Sequence, residues 1–201
     1  LLSFFLAPDI LRYIYHFLAL FIGGIGMYEL LKRKVLLAKD TVSVLVASLV
    51  GAGFYILNLG TLQNFTLPYE AFSHFFASLP WLILGTLLYI DHPTKKKLFI
   101  LTLFNLLATP AFYIPTIFVV YLMIIFIIFL YHILSTKSLK NAIITLSVIF
   151  LVNAFWLLPF LGFVAKGTSF VSQVKINRMF TDEAFLRNQE FGTIGNIALL
   201  K

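Results

Sequence analysis

The sequence predicts an all-α membrane protein: a polytopic bundle of about six spanning helices, followed by a short extracytoplasmic C-terminal segment. Of the 201 residues, 61% are hydrophobic and only 11% are charged, and the mean hydropathy is +0.99. Soluble domains are nearer half apolar and a quarter charged. The apolar residues also fall in runs of about 20, the length at which a helix crosses a bilayer. An ordinary soluble domain is therefore excluded.

The first three predicted spans cover residues 10–31, 41–59 and 68–90. The first would rise roughly 33 Å as a helix, and it ends at a basic run, Lys32 to Lys34. The second carries small residues between Ala47 and Gly53, which permit close helix contact. Pro68 suits the first turn of the third helix because its missing N–H would be unpaired there, and we expect Pro80 to kink this helix.

The last three predicted spans cover residues 93–109, 115–134 and 141–164. Pro93 opens the fourth and Pro110 closes it, but its fully apolar part is short. It can cross only if the stems of the lysines at 95–97 snorkel or the bilayer thins. The fifth span is the least polar part of the chain. Residues 165–201 carry charges of both signs and are predicted to be an extracytoplasmic or interfacial segment.

The distribution of lysine and arginine predicts the orientation. The connections after the first, third and fifth spans hold nine of these residues, whereas those after the second and fourth hold none. Because cytoplasmic loops of membrane proteins are enriched in lysine and arginine, we expect a multi-pass protein of the cell membrane. Both ends of this chain, the loop at 60–67 and the segment after Val164 are then extracytoplasmic.

Several classes of function are excluded or disfavoured by composition. The chain has no cysteine, so it offers no disulfide, thiolate metal site or cysteine nucleophile. Its net charge of +7 sits between apolar runs, where membrane topology explains it better than binding to nucleic acid does. The bilayer is therefore the expected partner. Because the chain opens Leu1-Leu2-Ser3 without a leader pattern, we expect it to be a fragment of a longer protein.

Glu70 and His74 are the most interesting pair of ionisable residues. Four residues apart on a helix, they share one face at the outer interface, where a carboxylate and an imidazole can exchange protons or help to hold a metal ion. A simpler interpretation is also open: a first-turn glutamate favoured by the helix dipole and a histidine directed at lipid head groups.

Two further charged groups lie near the ends of the first span. Asp9 and Arg12 fit either an N-terminal cap with a snorkelling arginine or a site for an anionic head group. Glu29 precedes Lys32 and Arg33 by three and four residues, a spacing that predicts an ion pair. The apolar spans also contain amides, which we expect to bond across helices: Asn58, Asn105 and Asn153.

Short motifs in four places resemble those of a known group of proteins. They are Gly24-Ile25-Gly26-Met27-Tyr28, Leu57-Asn58, Leu79-Pro80-Trp81 and Asn153-Ala154-Phe155-Trp156-Leu157-Leu158-Pro159. In these motifs the chain resembles membrane glycosyltransferases of the GT-C type, and most closely the arabinofuranosyltransferase-like and related uncharacterised membrane proteins of prokaryotes.

The resemblance implies an enzyme that moves a sugar from a polyprenyl-phosphate donor to an extracytoplasmic acceptor. Such enzymes place an acidic residue, which acts as a base or binds a divalent metal, in their first outer loop. That loop would precede this chain unless Asp9 is its end, so no residue can be carried over. Chemistry at the head-group plane requires a carboxylate and cations. We therefore expect catalytic roles for Glu70, His74 and Asp9, and binding of the lipid-linked sugar by Arg12, Lys175 and Arg178.

Two other classes of function remain open. A transporter or flippase subunit is suggested by the amides of Asn105 and Asn153 and by the proline-bounded fourth span, although no charged pair lies near the midplane. A non-catalytic membrane anchor or assembly subunit would fit the scarcity of acidic residues.

Overall fold

A computed structural model describes residues 8–36, 40–66, 69–136 and 139–173, and within these ranges all regular structure is helical. This confirms the all-α prediction. Helix α1 continues into a π-helical turn, Leu31–Val35, and the N–H of Leu36 donates to the Leu31 carbonyl at 2.9 Å. The helices are α1 (Pro8–Leu30), α2 (Thr41–Leu57), α3 (Leu59–Thr66), α4 (Glu70–Asp91), α5 (Lys95–Phe112), α6 (Pro115–Thr136) and α7 (Lys140–Gln173).

Four helical stretches are long and apolar enough to cross a membrane: Ile10–Val35, Glu70–Asp91, Pro115–Leu134 and Lys140–Gly167. They correspond to the first, third, fifth and sixth predicted spans. Helix α2 is apolar but has only 17 residues, and α5 begins with three consecutive lysines. Four spans are thus supported by length and composition, and the crossings by α2 and α5 stay predictions.

The chain divides into two compact units, Leu1–Ala154 and Phe155–Lys201. The first unit holds α1 to α6 and the first part of α7. In the second unit α7 continues to Gln173, beyond the predicted span end at residue 164, and the rings of Trp156 and Phe160 lie 6.3 Å apart.

Helices α1 and α4 run parallel, side by side. Arg12 contacts Glu70, the carbonyl of Ile22 accepts a hydrogen bond from Trp81, and Lys34 contacts Asp91, so the contacts advance together along both helices. Glycine makes this close approach possible. A Cβ atom at Gly23 would lie 2.6 Å from the ring of Phe76, and one at Gly26 would lie 2.6 Å from the indole of Trp81.

The pairing continues through α5 and α6. Phe104 of α5 lies against Gly85 of α4, and Phe112 of α5 stacks on Tyr121 of α6 with ring centroids 5.2 Å apart. Within this core the Tyr121 hydroxyl donates to Asn105 Oδ1 at 3.1 Å, which confirms the expected cross-helix bond for this amide.

Asn58 lies at the junction of two helices. Its amide donates to the carbonyls of Phe54 and Tyr55 where α2 ends and to the Thr61 hydroxyl of α3 at 2.8 Å, so this residue also bonds across helices. Asn153 donates to Ile149 of its own helix, and its expected cross-helix bond stays a prediction. Asn58 works as a cap because its side chain also accepts from the Thr61 N–H that opens α3.

Three prolines lie inside the described helices, Pro80, Pro110 and Pro159, and at the first two a neighbouring hydroxyl donates to the carbonyl that loses its helical donor. Pro80 leaves the Phe76 carbonyl without its helical donor, and the Tyr55 hydroxyl of α2 donates to it at 2.8 Å. Pro110 does not close its helix as predicted, because α5 continues to Phe112. The Thr109 hydroxyl donates to the Leu106 carbonyl, four residues before Pro110, at 2.7 Å.

The connections also differ from the sequence prediction in places. The loop expected at 60–67 contains α3, and α4 begins at Glu70, while Pro68 lies outside the described residues. Asp40 caps α2 by accepting hydrogen bonds from Ser43 and Val42, and these bonds, that of the Ser43 hydroxyl first, lower the pKa of its carboxyl.

Charged residues lie at the two opposite ends of the α1–α4 pair. At the cationic end, Lys34 pairs with Asp91 and Arg33 pairs with Glu29, which confirms the predicted ion pair at Glu29. The Asn141 amide at the start of α7 donates to the Ile90 carbonyl at the same end. The opposite end, marked by Arg12 and Glu70, is called the Arg12–Glu70 end below.

Candidate functional site

Arg12 and Glu70 form an ion pair between α1 and α4. Arg12 Nε lies 2.7 Å from Glu70 Oε1, and the side chains are 50% and 51% exposed. Exposed ion pairs contribute little to stability because water competes for both partners. An anionic ligand can therefore take Arg12 from Glu70 at little cost.

His74 is held by two hydrogen bonds. Its Nε2 atom lies 2.7 Å from the Leu107 carbonyl, and its Nδ1 atom lies 2.8 Å from the Tyr15 hydroxyl. Because a carbonyl only accepts, Nε2 carries the proton, and the Tyr15 hydroxyl donates to Nδ1. The imidazole thereby connects α4 to both α1 and α5. Glu70 and His74 share a face, as predicted, but each has its own partner.

A second histidine is buried one turn from the ion pair. His16 and Ser73 are 4% and 1% exposed, and His16 Nδ1 lies 2.7 Å from Ser73 Oγ. Within the described ranges His16 Nε2 has no hydrogen-bond partner; the ring of Phe65 lies nearly perpendicular to the imidazole at 6.2 Å. The hydroxyl of Ser78, one turn later, instead donates to a carbonyl of its own helix.

Two tyrosines lie close to the ion pair, one before α4 and one after α5. The hydroxyl of Tyr113 has lost hydration and lies near Tyr69 and Glu70, and these effects, in that order, raise its pKa above the ordinary value for tyrosine. Tyr113 is nevertheless 61% exposed. The Arg12–Glu70 end is thus an open, polar surface at which the Tyr113 hydroxyl lies near the Glu70 carboxylate.

A cavity of about 370 Å³ lies between α1, α4 and α5. Tyr15 and His74 line one part of it, Trp81 and Phe104 line another, and alanines at positions 19 and 77 leave the space between them. Leu18 and Leu107 also line the cavity and are more than half exposed, so it opens between α1 and α5. Its volume lies within the usual range for small-molecule sites.

The polar surface and the cavity are adjoining. Tyr15 follows Arg12 by three residues and His74 follows Glu70 by four, so each lies one helical turn from the ion pair. The site thus has a charged, exposed part and an apolar part that extends between helices. This is the arrangement required by an amphiphile with a polar head and one hydrocarbon chain.

The structure brings together three of the six predicted site residues: Arg12, Glu70 and His74. Asp9 lies in the first turn of α1 (Pro8–Leu30), but its side chain is outside the described residues, so both interpretations of Asp9 stay predictions. Lys175 and Arg178 also lie outside the described residues. Within the described part of the chain no three His, Asp or Glu residues are grouped closely enough to hold a metal ion.

Sequence reasoning missed Tyr15, Ser73 and Trp81. A signal for Tyr15 was present, because it falls on the same face of α1 as Arg12 and Ala19. Ser73 and Trp81 could be found only once α1 was known to pack in parallel against α4. Compared with known proteins, the chain matches no family model, and no curated protein or solved structure shows significant similarity to it.

Proposed function

We propose that this chain is the membrane part of a glycosyltransferase that moves a sugar from a polyprenyl-phosphate donor to an acceptor on the extracytoplasmic side. The proposal places the Arg12–Glu70 end outside and the cationic end in the cytoplasm, as the positive-inside rule requires. The observation that carries it is an exposed arginine–carboxylate pair beside an apolar cavity large enough for one chain. The resemblance of the motifs adds to it.

The donor phosphate would bind Arg12. Arginine offers several N–H donors in a planar group that fits phosphate oxygens. A phosphate competes well for this arginine because the existing pair with Glu70 is half exposed and weak. Binding therefore does two things at once: it positions the donor head group at the interface and releases the Glu70 carboxylate.

Glu70 would then act as the base. Its carboxylate takes the proton from the acceptor hydroxyl, whose oxygen attacks the anomeric carbon of the sugar. The bond between that carbon and the phosphate oxygen breaks, and the electron pair leaves with the polyprenyl phosphate. Arg12 stabilises the negative charge that develops on the leaving phosphate. The whole sugar is thus transferred to the acceptor oxygen, and the phosphate stays on the polyprenyl group.

His74 would act as a positioning residue in this scheme. Both of its ring nitrogens are occupied, by Leu107 and Tyr15, so it is poorly placed to move a proton itself. It instead fixes the distance between α1, α4 and α5 beside the ion pair. Position matters because a base acts only within hydrogen-bond reach of its proton.

The proposal is tested by Glu70→Gln in the full-length protein reconstituted in vesicles with a polyprenyl-phosphate-linked sugar and an acceptor. Glutamine keeps the shape but cannot take a proton, so we expect the rate of transfer to fall about 100-fold or more. Glu29→Gln is the matched control, because Glu29 also pairs with an arginine but lies at the cationic end. Its rate should stay within about twofold of the intact protein.

Two outcomes contradict the proposal. If Glu70→Gln and Glu29→Gln have equal rates, Glu70 is not the base. If the intact full-length protein transfers no sugar from any polyprenyl donor, it is not this enzyme, and an anchoring or transport role takes precedence.

A further inference from the structure

The indole of Trp81 is held rigidly where the cavity meets the α1–α4 contact. Its Nε1 donates to the Ile22 carbonyl at 3.1 Å, and its ring lies 5.6 Å from that of Phe104. Gly26 lies directly beneath it, because any Cβ at that position would come within 2.6 Å of the indole nitrogen. A hydrogen bond, a ring contact and a glycine thus fix one side chain of the cavity lining.

Trp81 lies deeper than the polar surface. On α4 it follows His74 by seven residues, which is about two turns or roughly 10 Å along the helix. A chain that entered beside Tyr15 and His74 would therefore meet the indole after a short distance. Phe104 on α5 backs the indole from the other side.

The cavity volume agrees with this short distance. At roughly 30 Å³ for a group of the size of one water molecule, 370 Å³ holds on the order of a dozen carbon atoms. That is one chain of two or three isoprene units, and it leaves no room for the two chains of a phospholipid. The remainder of a longer chain would leave between Leu18 and Leu107 into the bilayer.

We infer that Trp81 is a specificity-determining residue, the floor that sets how many isoprene units of the lipid donor enter the protein. This inference rests on the proposed function for the identity of the chain. Ala77 has the opposite effect on the bound length: its small side chain, which is 7% exposed, leaves space in the cavity. Enlarging position 77 should shorten the bound length, and removing the indole should extend it.

The test measures binding of prenyl monophosphates of one to five isoprene units to the detergent-solubilised full-length protein by native mass spectrometry. For the intact protein the bound fraction should rise with chain length up to two or three units and then stay level. The chain length at which the bound fraction stops rising is called the levelling point. In Trp81→Ala the levelling point should move at least one unit longer, and in Ala77→Leu at least one unit shorter. Misfolding would lower binding in both variants but would not move the two levelling points in opposite directions.

Trp156→Ala is the matched control, because Trp156 is not among the residues that line the cavity and should leave the levelling point unchanged. An unchanged levelling point in both cavity variants overturns the inference. So does equal competition by a two-chain phosphatidic acid, which would make the cavity an ordinary lipid contact. Failure of the proposed function looks different: prenyl phosphates bind with the expected length dependence, but the intact protein transfers no sugar.

Discussion

The two ends of the α1–α4 pair differ in how their charged and polar side chains are arranged. At the cationic end, Arg33 is exposed and Lys34 is largely covered, and each of these two cations has a carboxylate partner, Glu29 and Asp91. At the Arg12–Glu70 end the Arg12–Glu70 ion pair is half exposed, while below it polar groups are buried between helices, most completely His16 and Ser73. Proteins rarely bury such groups without a structural or functional reason. The Arg12–Glu70 end is therefore the stronger candidate for a functional site.

The largest stability effect is expected where the buried polar contact is broken. In Ser73→Ala, His16 would lose its Nδ1 partner in a site that is 96% inaccessible, so the free energy of unfolding should fall by about 1–3 kcal/mol. Ser78→Ala is the matched control, because that hydroxyl only bonds back to its own helix and should cost less than about 1 kcal/mol. Detergent-induced unfolding followed by circular dichroism measures both. Equal losses of unfolding free energy in the two variants would mean that the buried contact contributes no more than a hydrogen bond within one helix.

A smaller effect is expected at the cationic end. Arg33→Gln removes an exposed ion pair, so the free energy of unfolding should change by less than about 0.5 kcal/mol. The same unfolding assay applies, and added salt should reduce the difference further because it screens exposed charges. A loss as large as that of Ser73→Ala would remove the proposed contrast between the two ends.

The sequence predicted the parts of the fold that depend on local pattern. Apolar runs identify helices such as α6, and a four-residue spacing predicts the Glu29–Arg33 pair. Helix ends were less predictable. Pro110 was expected to end α5, but a proline only removes one donor and blocks one turn, and Thr109 compensates at the freed carbonyl.

The candidate site was predictable only in part. Arg12, Glu70 and His74 stand out because ionisable residues are rare in such a chain. The partners of these residues do not stand out in the sequence. Tyr15 and Ser73 form their hydrogen bonds only because two helices about 58 residues apart in sequence pack in parallel. Trp81 has the same origin, since the carbonyl that it binds belongs to α1.

The account depends most on the two ends facing opposite sides of the membrane, and single-cysteine labelling tests this most directly because the chain contains no cysteine. Tyr113→Cys and Lys96→Cys would be made in the full-length protein, with any cysteine outside this chain replaced by serine, and exposed in intact cells to a maleimide that cannot cross membranes. We predict that the cysteine at position 113 reacts at once and that the cysteine at 96 reacts only after the cells are permeabilised. Reaction at position 96 in intact cells would contradict the account.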